Sequence, residues 1–472
     1  MNRRNGAAAL AVLLLAGCAA GPDYVEPVTD AGAGWAEPGA DESPPPLSRW
    51  WQAFDDPTLD RLVEQAERQN PDLREAVARV AQARALRDAA AGGRHPALAA
   101  RASVTERRQS ENGPLPIDRI PGLERDQTIF ETGFDAAWEI DLFGRNRRTV
   151  EAAEARLGEA MAQSRAARLA VTAEVVRVYL TLRGLQRERA ALASALRVSR
   201  EALALTRRRF ELGEVAEAQV AQAETELASR QAELPLLDAE TRSHALALGA
   251  LLGEPPEGEL ALLAQTTEYP ALARLPVGQR ADLLRRRPDV LAAERRLAAA
   301  TAEVGVATAE LFPRLSIGAT GAFQSLDASD LFASGSETWS IVPFVSWRLF
   351  DGGRRRALVR AQAAGAEAAA HAYEAAVLGA LLDAERALSR YHYALLALER
   401  HRVAVAAATR QRELSEQRYR AGDIARFELL DAERGLHHAE AAYARTHRGA
   451  ETALVALFKA LGGGWEQQAA TQ

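Results

Sequence analysis

The sequence predicts a mainly α-helical protein with a small β part, built from two copies of one long unit. Three observations carry this reading. First, the chain repeats itself in register. Asn70-Pro71-Asp72-Leu73 and the run down to Pro96 are answered by Arg287-Pro288-Asp289-Val290 and the run down to Pro313, at a common spacing of 217 residues. Second, two proline-free stretches, Gly144 to Pro235 and Pro343 to the C-terminus, are rich in Ala, Leu, Arg, Gln and Glu, which favour helix. Third, four short segments alternate apolar and polar side chains with period two, as strands do. A unit repeated over nearly the whole chain points to a doubled object rather than a catalytic domain.

The first element is an address label. Arg3 and Arg4 precede the apolar run Ala7 to Leu15, which leads into Ala16-Gly17-Cys18. A positive end, a short apolar segment and small residues at the cut make residues 1–17 a secretory signal, too short for a permanent membrane span. Cys18 is the only cysteine, so it reads as the lipid acceptor of a bacterial lipoprotein. An incidental cysteine beside an ordinary cleavage site is the plainer alternative. One lipid-bearing residue anchors weakly without further acyl chains or a second membrane element. The net charge of −6, more negative once Arg3 and Arg4 are removed, argues against nucleic acid as a partner. Beyond the signal no run of about 18 apolar residues exists that would make a spanning helix.

Residues Ala19 to about Ser48, with Pro44-Pro45-Pro46, read as an extended arm. The first copy occupies residues 64–252 and the second 279–462, joined by a proline-bearing linker over 253–278 and followed by a tail, 463–472. In each copy a helix opens at Pro71 or Pro288. A longer one follows from Arg145 to Phe210, and at 1.5 Å per residue it makes a rod of roughly 100 Å. Leu169, Val176, Leu180 and Leu192, interspersed with Arg and Glu, suggest coiled-coil packing. Gly213 and Gly422 permit the chain to reverse, and a second helix returns to about Leu251 or Leu461.

Between the helices lie the strands. Leu98, Ala100, Ala102 and Val104 alternate with Arg101, Ser103 and Thr105, and Phe130, Phe134, Trp138 and Ile140 with Glu131, Asp135 and Glu139. The second copy repeats this, Leu315, Ile317, Ala319 and Phe323 opposing Ser316, Thr320 and Gln324, and Trp339, Ile341, Val345 and Trp347 opposing Ser340, Ser346 and Arg348. One apolar and one polar face fit either a sheet packed on helices or, given the export signal, a membrane barrel with lipid on the apolar side. Four strands cannot close a barrel, and open edges are not tolerated in lipid, so the chain must oligomerise. Two chains give eight strands and three give twelve. A charged inner row favours the wider, water-filled option, although periodicity alone leaves the number open.

Several motifs, in this order, resemble the outer-membrane factor family, the trimeric TolC/OprM-like channels of tripartite efflux pumps, and especially its lipoprotein branch. They are Cys18 with Pro22-Asp23-Tyr24, Trp50-Trp51 through Phe54 to Pro57, Asn70-Pro71-Asp72-Leu73, Arg286-Arg287-Pro288-Asp289-Val290 with Glu294, Leu311-Phe312-Pro313, and Phe427 through Asp431-Ala432. The resemblance implies a homotrimer with a 12-stranded transmembrane β-barrel continuing into an α-barrel of long α-hairpins that crosses the periplasm. It implies a periplasmic adaptor protein, an inner-membrane pump of RND type and outer-membrane lipid as partners. The linker and tail would belt the helical barrel, making residues 18–63 the anchored arm and the start of that equatorial region. At the periplasmic gate it implies an apolar constriction at Phe427 and a carboxylate ring at Asp431, with Glu428 acidic in some members. The turns at Gly213-Glu214 and Gly422-Asp423 would be adaptor-contacting tips.

Phe427 and Asp431, four residues apart on a helix, share a face. The first copy has Ala218 and Gln222 there, which supports one ring per trimer. A solvated Asp431 paired with Arg434 is the simpler alternative. Three carboxylates near one axis repel and would respond to protons and cations. His437, His438 and His447 lie on the same helix, where solvated or packed roles are commoner than metal binding. No nucleotide loop or nucleophile–base pair stands out, so no catalysis and no cofactor beyond lipid on Cys18 are expected. The expected activity is a passive exit duct for drugs or toxic compounds. Metal efflux, type I protein secretion and a lipid-anchored coiled-coil scaffold are the alternatives, the last having no use for the four alternating segments.

Overall fold

The computed structural model describes residues 19–29, 31–32, 34–38, 40–110, 124–264 and 268–465. Cys18, most of the loop after Gln109 and the end of the tail lie outside the described residues. Eight α-helices are described: α1 (Pro57–Gln69), α2 (Pro71–Gly92), α3 (Arg145–Glu211), α4 (Glu217–Leu251), α5 (Arg280–Arg286), α6 (Pro288–Ala309), α7 (Arg354–Arg420) and α8 (Arg426–Ala460). Four strands accompany them: β1 (Ala97–Arg108), β2 (Asp126–Ile140), β3 (Arg314–Ser325) and β4 (Glu337–Ser346). Helices α2 and α6 are both 22 residues long, α3 and α7 both 67, and α4 and α8 both 35, so the repeat holds to the residue in these three pairs. Helix α4 runs through Pro235, in keeping with a return helix to about Leu251. The linker holds a short 3-10 segment, Pro256–Ala264.

By contacts the chain divides into two compact units, each drawing on both copies. The first contains the sheet, in the order β1-β2-β3-β4 and antiparallel throughout. Its register aligns the apolar rows: Ala100 faces Phe134, Ala136 faces Ala319, Trp138 faces Ile317, and Ala319 faces Ile341. The polar rows align too, Asp135 facing Thr320 and Thr320 facing Ser340. A one-residue slip at any of the three pairings would mix the faces. Gly133 is required where β2 meets β3, since a Cβ there would sit 2.4 Å from the Gly321 carbonyl oxygen. β1 and β4 each have one edge without a strand partner among the described residues.

The start of the N-terminal arm, up to Pro27, packs onto this unit. Ala20 N–H donates to the Phe143 carbonyl (2.9 Å), Asp23 pairs with Arg148 (2.6 Å), and the Tyr24 hydroxyl donates to Glu294 beside Ala155, Ala298 and Ala299. Gly21 crosses Gly305 so closely that a Cβ would come within 2.5 Å of its Cα.

In the second unit Trp50 is 2% exposed, stacks on Phe458 at 4.8 Å and meets Trp51 edge-on. Asp56 caps α1 through Thr58 N–H (2.9 Å) and accepts the Tyr179 hydroxyl (2.5 Å), fixing α1 to α3. Leu169, Val176, Leu180 and Leu192 are all buried, as their spacing predicts. Asn70, itself buried, caps α2 through Leu73 N–H and ties it to the end of α4 by donating to the Leu251 carbonyl (2.8 Å). Arg287, its equivalent, makes the same tie in the second copy by donating to the Ala460 carbonyl (3.1 Å).

Candidate channel surfaces and gate

The first unit offers the two-faced sheet. On one face Leu98, Val104, Phe134, Trp339, Ile341 and Val345 are more than half exposed, a contiguous apolar surface that water does not favour. On the other, Arg101 pairs with Glu131 and Asp135, Thr320 donates to Asp135 (3.0 Å), and Arg145 forks onto Glu139 (3.0 and 2.9 Å). Trp138 and Trp347 occupy equivalent strand ends. Their indoles donate to the carbonyls of Arg94 and Leu311, both at 3.0 Å, which leaves ring faces on the apolar side and a satisfied N–H at the rim.

The second unit holds both hairpin turns. Gly213 and Gly422 are left-handed (φ 75° and 81°). Glu214 N–H reaches back to the Arg209 carbonyl (2.8 Å) and Asp423 N–H to the Arg418 carbonyl (2.9 Å), satisfying the last free carbonyls of α3 and α7. No heavy atom would lie within 4 Å of a Cβ at either glycine, so both turns are open surface. Glu214 is held by Arg209 at 3.1 Å.

Just past the second turn the predicted gate residues fall together. Leu430 is fully buried against Val198 and Ala202 of α3, and Leu429 is buried beside it. That fixes the opposite face of α8 outward, where Phe427, Glu428 and Asp431 are exposed. Arg434 donates to Asp431 (2.7 Å) and to Glu226 of α4 (3.2 Å), with its guanidinium 5.8 Å from the Phe427 ring centre. The pairing of Asp431 with Arg434 weighed from sequence is therefore present. Sequence reading missed the residues that hold this turn in place. Arg426 forks onto Glu201 of α3 (2.6 and 2.8 Å) and reaches Glu433 (3.5 Å), and its guanidinium holds the Glu201 carboxyl below the usual carboxylate range. Arg426 sits next to the gate motif, but its partner lies 225 residues away and leaves no local signal.

Two of the three histidines have carboxylate neighbours. His437 contacts Glu440 (2.8 Å), and buried His447 contacts Glu451 (3.1 Å), which also takes Arg187 at 2.7 Å. Among the described residues no group of three His, Cys, Asp or Glu is placed to hold a metal. No described helix is long and apolar enough to cross a membrane.

The family described as Outer membrane efflux protein matches residues 62–254 and 280–463. The pyoverdine export outer membrane protein OpmQ of Pseudomonas putida is 32% identical over 93% of this chain and 93% of its own. The outer membrane protein OprJ of Pseudomonas aeruginosa is 32% identical over 98% and 96%. Among solved structures, the outer-membrane channel OprN superposes with a TM-score of 0.83 at 38% identity, covering 95% of this chain and all of its own. The outer membrane protein VceC of Vibrio cholerae gives 0.79 at 28% identity, covering 89% and 100%. The fold described above thus recurs in solved structures of relatives that cover 89–95% of this chain. The chain belongs to the outer membrane efflux protein family, and it is an outer-membrane efflux channel rather than an enzyme.

Proposed function

We propose that three copies of this chain close a 12-stranded transmembrane barrel continuing into a helical barrel, the exit duct through which a pump expels small toxic organic compounds or drugs. The observation that carries this is the four-stranded sheet, apolar on one face, polar on the other and open at both edges. In lipid each open edge must be paired, and β4 of one copy against β1 of the next pairs them all. The helices support the same closure. Acidic Glu217, Glu233 and Glu240 lie along α4, while Arg400, Arg410 and Arg418 mark the distal half of α7, so neighbouring copies would attract there. The adaptor would meet the turns at Gly213-Glu214 and Gly422-Asp423, with an inner-membrane pump of RND type supplying energy. Lipid on Cys18 would hold the arm at the membrane.

The gate is the ring of Phe427 and Asp431, flanked by Glu428. Planar-bilayer conductance of purified protein tests it: wild type should be mostly closed, and Asp431→Ala and Phe427→Ala should raise the open fraction. Variants that conduct no more than wild type remove the gate assignment but leave the duct. Purified material that stays monomeric in detergent removes the duct itself. Palmitate labelling that persists in Cys18→Ala excludes that residue as the acceptor.

A further inference from the structure

In the second compact unit, α3, α6, α7 and α8 line an open cleft of about 500 Å3, within the range of pockets that hold small ligands. Buried Arg287 forms its floor and is fully engaged, donating to Asp289 (2.9 and 2.6 Å), to Asp383 (3.4 Å) and to backbone carbonyls. The walls carry Arg386 and Arg390, one turn apart on α7, and Lys459 on α8, the only lysine in the chain. Among the described residues none of these three has a carboxylate within ion-pair distance. Like charges one turn apart on a helix repel, and an anion between them would relieve that repulsion; Lys459 also acts electrostatically on Glu174 of α3.

The duplication supplies an internal control. At the positions equivalent to Asp383 and Arg386 the first copy has Glu174 and Arg177, paired with each other at 2.5 Å. Where the second copy has Arg390 and Lys459, the first has Thr181 and Ala250. The change of Asn70 to Arg287 draws Asp383 away from Arg386, and two further cations are added around the same cleft. One copy is neutral and self-satisfied there. The other concentrates positive charge about an open volume.

We propose that this cleft binds a small phosphate-bearing anion, held by Arg386, Arg390 and Lys459. Guanidinium forks match phosphate oxygens, and three converging cations suit a multivalent anion better than a single carboxylate. The test uses purified full-length protein in detergent, titrated with inorganic phosphate at constant ionic strength and followed by phosphorus NMR and calorimetry. Saturable binding is expected. Arg386→Gln with Arg390→Gln, or Lys459→Gln alone, should weaken it about tenfold or more, the effect of losing one charge-assisted contact. Arg84→Gln, on α2, should leave it unchanged. Vesicles of phosphatidylcholine with and without phosphatidic acid distinguish a lipid headgroup from a soluble phosphate: competition only by the acidic vesicles assigns the headgroup, and no competition assigns the free anion. Absence of saturable binding by both probes overturns the proposal, as does equal binding by the variants. Loss of oligomer stability in the variants without phosphate binding also overturns it, since carboxylates of a second copy would then fill the cleft.

Discussion

The two return helices, α4 and α8, have the same length and follow the same left-handed glycine turn, yet they are packed very differently. α8 buries side chains at both ends, Leu429, Leu430 and Ala432 near the turn and a run from Ala444 to Ala460, whereas α4 buries only Thr241, Ala245, Leu248 and Gly249 near its end. Leu236 of α4 is 70% exposed. The repeat thus reproduces backbone geometry without reproducing environment. α8 is an internal element of the chain, and α4 is a face left uncovered by it.

The largest expected effect breaks the covered side. Glu451 is wholly buried between Arg187 and His447, so Glu451→Gln leaves Arg187 short of its counter-charge and should cost about 3–5 kcal/mol in denaturant unfolding. Leu430→Ala should cost about 2–5 kcal/mol by opening a cavity against α3. Leu236→Ala sharpens the contrast: it should change unfolding by no more than about 0.5 kcal/mol while shifting the oligomer equilibrium, read by light scattering in detergent. Equal effects of the two leucine variants on unfolding would erase the distinction between the helices.

A smaller effect concerns the linker. Tyr391 of α7 donates to the Ala273 carbonyl (2.6 Å), and burial pushes its hydroxyl up to about 12. An unfolded tyrosine ionises near pH 10, so this contribution is complete below that pH and is lost as pH climbs toward about 12. Tyr391→Phe should cost about 0.5–1.5 kcal/mol at neutral pH and flatten the alkaline fall in stability. The smallest effect is at the exposed Arg207–Glu224 pair joining α3 to α4, where Arg207→Ala should change stability by about 0.2–1 kcal/mol, less in high salt.

Much of this architecture was legible because it is written in local periods. Period-two segments from Leu98 and Trp339 became strands with the predicted apolar row, although Val342 and Phe344 interrupt the polar side of β4, and Gly213 and Gly422 became the turns. The return helix read to about Leu251 is also present, running through Pro235. The arm reads as extended from its composition, but nothing near Tyr24 announces that Glu294 will accept its hydroxyl. At the gate, the shared face of Phe427 and Asp431 follows from helical spacing alone, but the Arg426–Glu201 fork and the link from Arg434 to Glu226 join positions more than 200 residues apart. No window along the chain contains both ends of such a contact.

Equal helix lengths in the two copies carry a consequence for how this sequence can change. Both turns lie in one compact unit, and each long helix must deliver its glycine there after the same 67 residues. A deletion in α3 alone would rotate every later side chain by about 100° and retract one turn relative to the other. Viable insertions and deletions should therefore come as matched pairs, so the gene evolves under a mirrored constraint in which neither half is free to drift in length.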